Sequence, residues 1–87
     1  MAKYKITFKK SVAKDLRNIP KADVQRILKR FDSLVENPRD EGCIKLSGQE
    51  CYRVRQGLYR IIYEIRDEEL IVHVVKVAHR SSVYKDS

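Results

Sequence analysis

Residues 51–65, "CYRVRQGLYRIIYEI", decide the fold of the C-terminal half of this 87-residue chain. Apolar and aromatic residues alternate with polar ones on both sides of the Gln-Gly pair at 56–57, as in two β-strands joined by a tight turn. Strand propensity alone favours Thr, Val or Tyr at the positions that Arg53, Arg55 and Arg60 occupy. The arginines on one side of this hairpin therefore need an explanation.

A two-residue turn at 56–57 predicts that Arg53 lies opposite Arg60 and that all three arginines share one face of the sheet. A four-residue loop keeps the same parity. The other face then carries side chains that can meet the helices: Tyr52, Val54, Tyr59, Ile61 and Tyr63. Like charges directly opposite each other destabilise a sheet by up to about 1 kcal/mol per pair. Either an anion bound by the arginine forks or a solvated face with splayed charges accounts for the pattern.

The N-terminal half has the periodicity of two helices. Residues 11–19 predict a short helix with Ser11 as its cap, and Pro20 separates it from the next. Between 21 and 36 apolar residues recur at spacings of three and four and form one helical stripe: Val24, Ile27, Leu28, Phe31, Leu34 and Val35. An Asn-Pro pair then ends the second helix.

The predicted elements form one α+β domain over residues 1–87, in the order β-α-α-β-β-β. The predicted strands are 4–8, 51–55, 58–66 and 69–77, and residues 43–50 are a connector. Short turns join the last three strands into an antiparallel meander. The fold class is therefore an N-terminal helical hairpin packed on a small, mostly antiparallel sheet.

Composition favours a globular, polyanion-binding protein. Hydrophobic residues make up 43% of the chain and the net charge is +7. Such a charge attracts RNA, DNA or an acidic protein, although a basic surface with no partner has the same charge. The apolar runs are too short to cross a bilayer, and the basic N-terminus lacks the apolar segment of a signal peptide. We expect a cytoplasmic protein that has no contact with a membrane.

The segment after the last predicted strand adds His79, Arg80 and Tyr84. If this tail folds over the arginines, it brings an imidazole that exchanges protons near neutral pH and a phenol that can stack on a base. Each side chain alone has an ordinary structural explanation, so the grouping is what indicates a nucleic-acid site. The two cysteines and two histidines lack the spacing of a zinc site, and we expect no cofactor.

Three motifs together resemble the RelE toxins of the RelE/ParE superfamily: "YRVRQGLYRIIYEI", the connector "KLSG" and the tail "VVKVAHRSSVY". The similarity covers nearly the whole chain. It implies an endoribonuclease that cuts mRNA in the ribosomal A site and is held inactive by a small antitoxin. The ParE branch shares the fold but poisons DNA gyrase without cutting RNA.

The resemblance also implies catalytic residues. Arg60 and Arg80 are candidates for a charge clamp on the reacting phosphate, Tyr84 for orienting or stacking on a base, and His79 for proton transfer. Without a metal, the nucleophile is the RNA's own 2′-hydroxyl, which attacks the neighbouring phosphorus in line. The products are a 2′,3′-cyclic phosphate and a free 5′-hydroxyl, and the protein must fix geometry, stabilise charge and move protons.

Three further residues are implied to bind RNA. Arg53 and Arg55 match positions where the family carries basic residues, often lysine, and Lys45 is a rim contact for backbone phosphate. Arginine stays protonated in a protein, so Arg53 and Arg55 are poor general bases. Proton transfer is therefore expected from His79 or Tyr84.

The expected partners are mRNA on the ribosome and a cognate antitoxin in a hetero-oligomer. Three alternatives remain open from the sequence: a ParE-like poison of gyrase, an RNA-binding module without catalysis, and an inert relative that binds only its antitoxin.

Overall fold

The described part of the chain folds into two helices and a five-stranded sheet. The computed structural model describes residues 3–39, 42–46 and 51–79. The helices are α1 Lys10–Arg17 and α2 Lys21–Glu36, and the strands are β1 Lys5–Phe8, β2 Cys43–Lys45, β3 Cys51–Gln56, β4 Tyr59–Arg66 and β5 Ile71–His79. The predicted α+β class is confirmed. Neither helix in the described ranges is long and apolar enough to span a membrane.

The prolines mark the two ends of α2 as predicted, but Ser11 is not the N-cap of α1. The first helix begins one residue before Ser11, so Lys9 occupies the N-cap position and makes no side-chain capping bond. Pro20 stands immediately before α2, where its missing amide hydrogen costs nothing. At the other end, Pro38 follows the last turn of α2 and prevents its continuation.

The sheet has the strand order β1-β5-β4-β3-β2. The first strand pairs in parallel with β5, and the other three pairings are antiparallel. The helical hairpin thus carries the chain from one edge of the sheet to the other. The edge strand β2 lies in the segment predicted to be an unstructured connector. Three residues are too few to show a period of two, and the strand exists because its backbone pairs with β3.

The core lies between the helices and the sheet. Its buried members come from both layers: Val12, Ile27, Phe31, Leu34, Val54, Ile61, Tyr63, Ile65, Val72, Val74 and Val77. Burying one large apolar side chain contributes about 1.5–3 kcal/mol. One predicted stripe residue, Leu28, is 45% exposed instead, because it lies about 100° round the helix from the buried Ile27.

The hairpin turn lies one position later than predicted. Gly57 and Leu58 form the two-residue loop, and Gly57 has a φ of 61°, as the first position of a type II′ turn requires. Arg55 therefore lies opposite Arg60, and Arg53 lies opposite Ile62 instead of Arg60. Since the shift moves the register by two residues, it leaves every side chain on its predicted face.

A β-bulge interrupts the pairing of β4 with β5. Tyr63 lies opposite Val74, but the preceding Ile62 lies opposite Lys76, so Val75 is an extra residue on β5. The bulge reverses the alternation of faces for the rest of β5. It therefore decides which of the last residues of the strand face the helices and which face away from them.

Candidate functional site

Three arginines lie on the face of the sheet away from the helices, here called the outer face. Arg55 and Arg60 are directly opposite each other on β3 and β4, and Arg53 is two residues before Arg55 on the same strand. The intervening Val54 and Ile61 are buried against the helices. The predicted sharing of one face by the three arginines is therefore what the strand pairing gives.

Arg60 is the most enclosed of the three. It is 4% exposed, whereas Arg53 is half-buried and Arg55 is exposed. A charge that is shielded from water acts more strongly on a nearby anion, because the local dielectric is lower. Arg60 is therefore well placed to stabilise developing negative charge, and the two β3 arginines are better placed to attract an anion from solvent.

The bulge adds Lys76 to the outer face. Lys76 lies opposite Ile62, which lies opposite Arg53, so the three form one row across β3, β4 and β5. Sequence reasoning missed Lys76 because strict alternation from the buried Val74 would place it on the helix side. The sequence did hint at a bulge, because strict alternation along β5 would bury Lys76 and expose Val77.

His79 is on the helix side and not with the arginines. The strand β5 extends to His79, which lies opposite Tyr59; the two rings are T-shaped, with centroids 5.5 Å apart. They line a cavity of about 460 Å³ together with α1 residues that include Asp15. The predicted position of His79 just past the strand, beside the arginines, is therefore wrong, because the bulge turns it to the other face.

Asp15 explains how α1 fits beside β5 at this cavity. The first strand pairs with β5 only as far as Val74. Beyond that point the Asp15 carboxylate accepts a hydrogen bond of 3.3 Å from the amide of Val77. The helix thus supplies an acceptor where the parallel partner strand ends, which satisfies a backbone donor at the edge.

Lys45 is also separated from the arginines. It lies opposite Tyr52, whose side chain shares the face of the helices, whereas the neighbouring Ile44 lies opposite Arg53. Lys45 is exposed at the sheet edge. The remaining two predicted residues, Arg80 and Tyr84, lie outside the described residues.

A cleft between α2 and the β2–β3 edge brings a fourth arginine to the site. Arg30 of α2 lines a cavity of about 480 Å³ together with Arg53 and Arg55, and Gly42 and Ile44 are the other described residues in its lining. The sequence did not single out Arg30, because on the helix it is one basic residue among several. Only the packing of α2 on the sheet brings it near the β3 arginines.

The chemistry of this surface is that of anion binding. Planar guanidinium groups donate paired hydrogen bonds to phosphate oxygens and remain charged at all physiological pH values. Within residues 3–39, 42–46 and 51–79, no group of three or more His, Cys, Asp or Glu residues is arranged to hold a metal ion. The described side chains can therefore bind and polarise a phosphate, and they offer it cations rather than a metal cage.

Comparison with known proteins agrees with this geometry. A family described as the ParE toxin of type II toxin–antitoxin systems matches residues 6–84. The mRNA interferase toxin RelE of Escherichia coli K12 is 30% identical over 89 residues, which cover 97% of this chain and 93% of that protein.

Several solved structures with the same fold are toxin–antitoxin complexes. The archaeal RelE-RelB complex from Pyrococcus horikoshii OT3 contains a chain with a TM-score of 0.79 and 34% identity, over 92% of this chain and 97% of that one. The intact E. coli RelBE complex contains one with a TM-score of 0.77 and 28% identity, over 87% and 95%. The chain therefore belongs to the RelE toxin family, within the RelE/ParE superfamily of type II toxin–antitoxin systems.

Proposed function

We propose that this toxin is an endoribonuclease that cuts mRNA in the ribosomal A site and so arrests translation in the cytoplasm. The observation that carries the proposal is the outer-face cluster of Arg53, Arg55 and Arg60, in which Arg55 and Arg60 lie opposite each other on adjacent strands and Arg60 is buried. Clustered arginines on one face attract a polyanion and can donate paired hydrogen bonds to its phosphates. The relatives named mRNA interferases support RNA as that polyanion.

The proposed reaction uses the RNA as its own nucleophile. The 2′-oxygen attacks the adjacent phosphorus, the bond from phosphorus to the 5′-oxygen breaks, and a 2′,3′-cyclic phosphate forms. One proton leaves the 2′-hydroxyl and one joins the departing 5′-oxygen, so no water or metal is consumed. Arg60 offsets the charge that develops on the phosphorane, and preorganised donors of this type contribute about 10²–10³-fold in rate each.

The other roles follow from the faces of the sheet. Arg53, Arg55 and Lys76 bind the phosphates on either side of the reacting one. Arg80 and Tyr84 keep their proposed roles of charge clamp and of base stacking or proton transfer. His79 and Lys45 face the helices, so we assign them no contact with the reacting phosphate, and proton transfer falls to Tyr84 among the residues that the resemblance implies.

We propose a small cognate antitoxin as the second partner. The structural relatives include complexes of RelE with RelB. Among the described residues, several large apolar side chains are exposed and available to an amphipathic partner helix: Phe8, Leu28, Ile44, Leu58 and Leu70. An acidic, partly apolar segment that folds as it binds would complement both these exposed apolar side chains and the net charge of +7.

The test is primer extension on a translated mRNA, with and without ribosomes. Wild-type protein should cut only the ribosome-bound message and leave a 5′-hydroxyl on the downstream fragment. The Arg60→Ala/Arg80→Ala variant should lose cleavage, whereas Arg17→Ala, which removes an exposed charge on α1, should retain it. Circular dichroism must show that the double variant is folded, because Arg60 is buried. Cleavage that persists in the folded double variant contradicts the site.

One observation favours a second candidate: the matching family is named for ParE toxins. A ParE-type poison would bind DNA gyrase and produce double-strand breaks without mRNA fragments. A supercoiling assay with purified gyrase separates the two. Inhibition of gyrase by wild type and by the Arg60→Ala/Arg80→Ala variant alike, with mRNA intact, would replace the ribonuclease proposal.

A further inference from the structure

The cleft between α2 and the β2–β3 edge has the properties of a binding site of its own. We propose that it is a second phosphate subsite, in which Arg30 holds the RNA backbone beyond Arg55, on the side away from Arg60. The proposal rests on RNA being the substrate. Arg55 belongs both to the pair with Arg60 and to the lining of the cleft, so one strand of RNA can contact both places in succession.

The described side chains that line the cleft carry positive charge alone. Within residues 3–39, 42–46 and 51–79, the lining contains three arginines and no acidic residue, around a volume of about 480 Å³. Among the described residues, Arg30, Arg53 and Arg55 form no salt bridge, whereas Arg39 and Arg66 do. Three guanidinium groups around one cavity repel each other, and an anion of matching size removes the repulsion.

The packing of α2 holds Arg30 beside the cleft. It precedes the buried Phe31 on α2, so the packed face of the helix holds its backbone in place. Its Nε is buried and has no hydrogen-bond acceptor within the described residues. A buried donor without an acceptor is costly, and an anion bound at the cleft offsets part of that cost.

Gly42 makes room for the Arg30 guanidinium. A β-carbon at this position would lie 2.8 Å from Arg30 Nη2. Among the described glycines only Gly57 has a positive φ, so the backbone of Gly42 accepts alanine. Substitution by alanine therefore displaces the tip of Arg30 without removing its charge and without straining the backbone.

The basic lining continues past the cleft. Arg30 also lines a neighbouring groove of about 250 Å³, together with Arg26, Lys29, Ser33 and Gln56. Among the residues that the structure describes, neither cavity has an aromatic side chain in its lining. The expected contacts are therefore with phosphates, which position the strand, and not with bases, which would specify a sequence.

The experiment measures binding of a fluorescein-labelled, fully 2′-O-methylated RNA octamer, which cannot undergo attack by a 2′-hydroxyl. Anisotropy titrations over a series of KCl concentrations give the salt dependence of the affinity. Loss of one phosphate contact should lower the slope of log K against log salt by about 0.7. Arg30→Gln should show this loss, Arg30→Lys should show less of it, and Gly42→Ala should weaken binding with the charge unchanged.

Arg17→Gln is the matched control, since it removes the same charge from an exposed position on α1. If Arg30→Gln and Arg17→Gln bind the octamer alike, the subsite proposal is overturned. It is also overturned if Arg30→Gln reduces binding of poly-glutamate but leaves RNA binding unchanged, because the cleft then belongs to an acidic protein. Binding that depends on Arg30 in a protein that cuts no mRNA supports the subsite and contradicts the ribonuclease function instead.

Discussion

An arginine lies near each end of β4, and the two differ in the charge of the residue that they face: one faces a carboxylate and the other faces an arginine. Beyond the C-terminal end, Arg39 makes two hydrogen bonds to Asp67, of 3.0 and 2.7 Å, and its guanidinium lies 5.7 Å from the ring centre of Tyr52. Near the N-terminal end, Arg60 faces Arg55 across the strands. The first arrangement satisfies the guanidinium within the protein, and the second presents like charges to the outer face.

The difference distinguishes an arginine that holds the fold together from arginines that we propose bind an anion. Tyr4 also donates a hydrogen bond of 2.8 Å to Asp67, so one carboxylate links the residue before β1, the segment after α2 and the β4–β5 turn. No such carboxylate stands among the described residues that line the arginine cleft. Charge reversal should therefore have opposite consequences at the two ends of the strand.

The largest expected effect is on activity at the end of β4 where Arg60 lies opposite Arg55. Arg55→Glu places an acid opposite Arg60, which should raise the free energy of unfolding by up to about 1 kcal/mol. The same change should lower mRNA cleavage by roughly 10²–10³-fold, because it removes one donor to the phosphate and repels the substrate. Urea denaturation and primer extension on the same preparation measure both. A variant that is less stable and fully active would show that Arg55 has a structural role.

Substitutions in the Arg39–Asp67 pair should lower the stability of the protein and leave its activity intact. Hydrogen bonds from Arg39 and then Tyr4 lower the pKa of Asp67 from 3.8 to about 2. A carboxyl with a lowered pKa stabilises the fold above its unfolded pKa, and this contribution is lost as the pH falls through its folded pKa. Between about pH 4 and about pH 2, wild type should therefore lose more stability than Asp67→Asn.

Asp32→Asn is the control for this pH series, because Asp32 is exposed and forms no salt bridge among the described residues. It should follow the wild-type curve. At neutral pH, Arg39→Ala should lower the Tm while cleavage remains at the wild-type rate. Parallel curves for wild type and Asp67→Asn would show that the Arg39–Asp67 pair does not stabilise the protein.

The smallest expected effect concerns Lys76, which the bulge adds to the arginine row. Lys76→Gln should lower the salt slope of RNA binding by about 0.7, as expected for one phosphate contact with a single strand. Lys76→Arg should restore the slope. Lys45→Gln is the comparison, since it removes a charge from the other side of the sheet. Equal slopes for Lys76→Gln and wild type would exclude Lys76 from the site.

Sequence reasoning succeeded where local periodicity and tertiary structure agree. The α2 stripe buries Ile27, Phe31 and Leu34 as predicted, since a sixteen-residue helix samples its period several times. The shared face of the hairpin arginines survived a wrong turn position, because a shift of two residues does not change parity. Whether Arg53, Arg55, Arg60, Arg80 and Tyr84 act on RNA stays a prediction.

It failed where a long-range contact overrides the local pattern. The edge strand β2 has three residues and owes its existence to β3. His79 was grouped with the arginines because the strand was predicted to end at residue 77 and the following tail to fold over them. The strand β5 instead extends to His79, and the extra residue Val75 turns His79 towards Tyr59 and α1. Arg30 was missed because nothing on its own helix distinguishes it from its basic neighbours.

The sequence by itself determined both helices, the four strands other than β2, their order, the basic charge and the face of each hairpin residue, because helix and strand periods are properties of the local chain. Only the tertiary structure decided which cations meet. The bulge in β5 moves Lys76 to the outer face and His79 away from it, and the packing of α2 brings Arg30 to Arg53 and Arg55. Both depend on how distant segments pair and pack, which no local window of sequence contains.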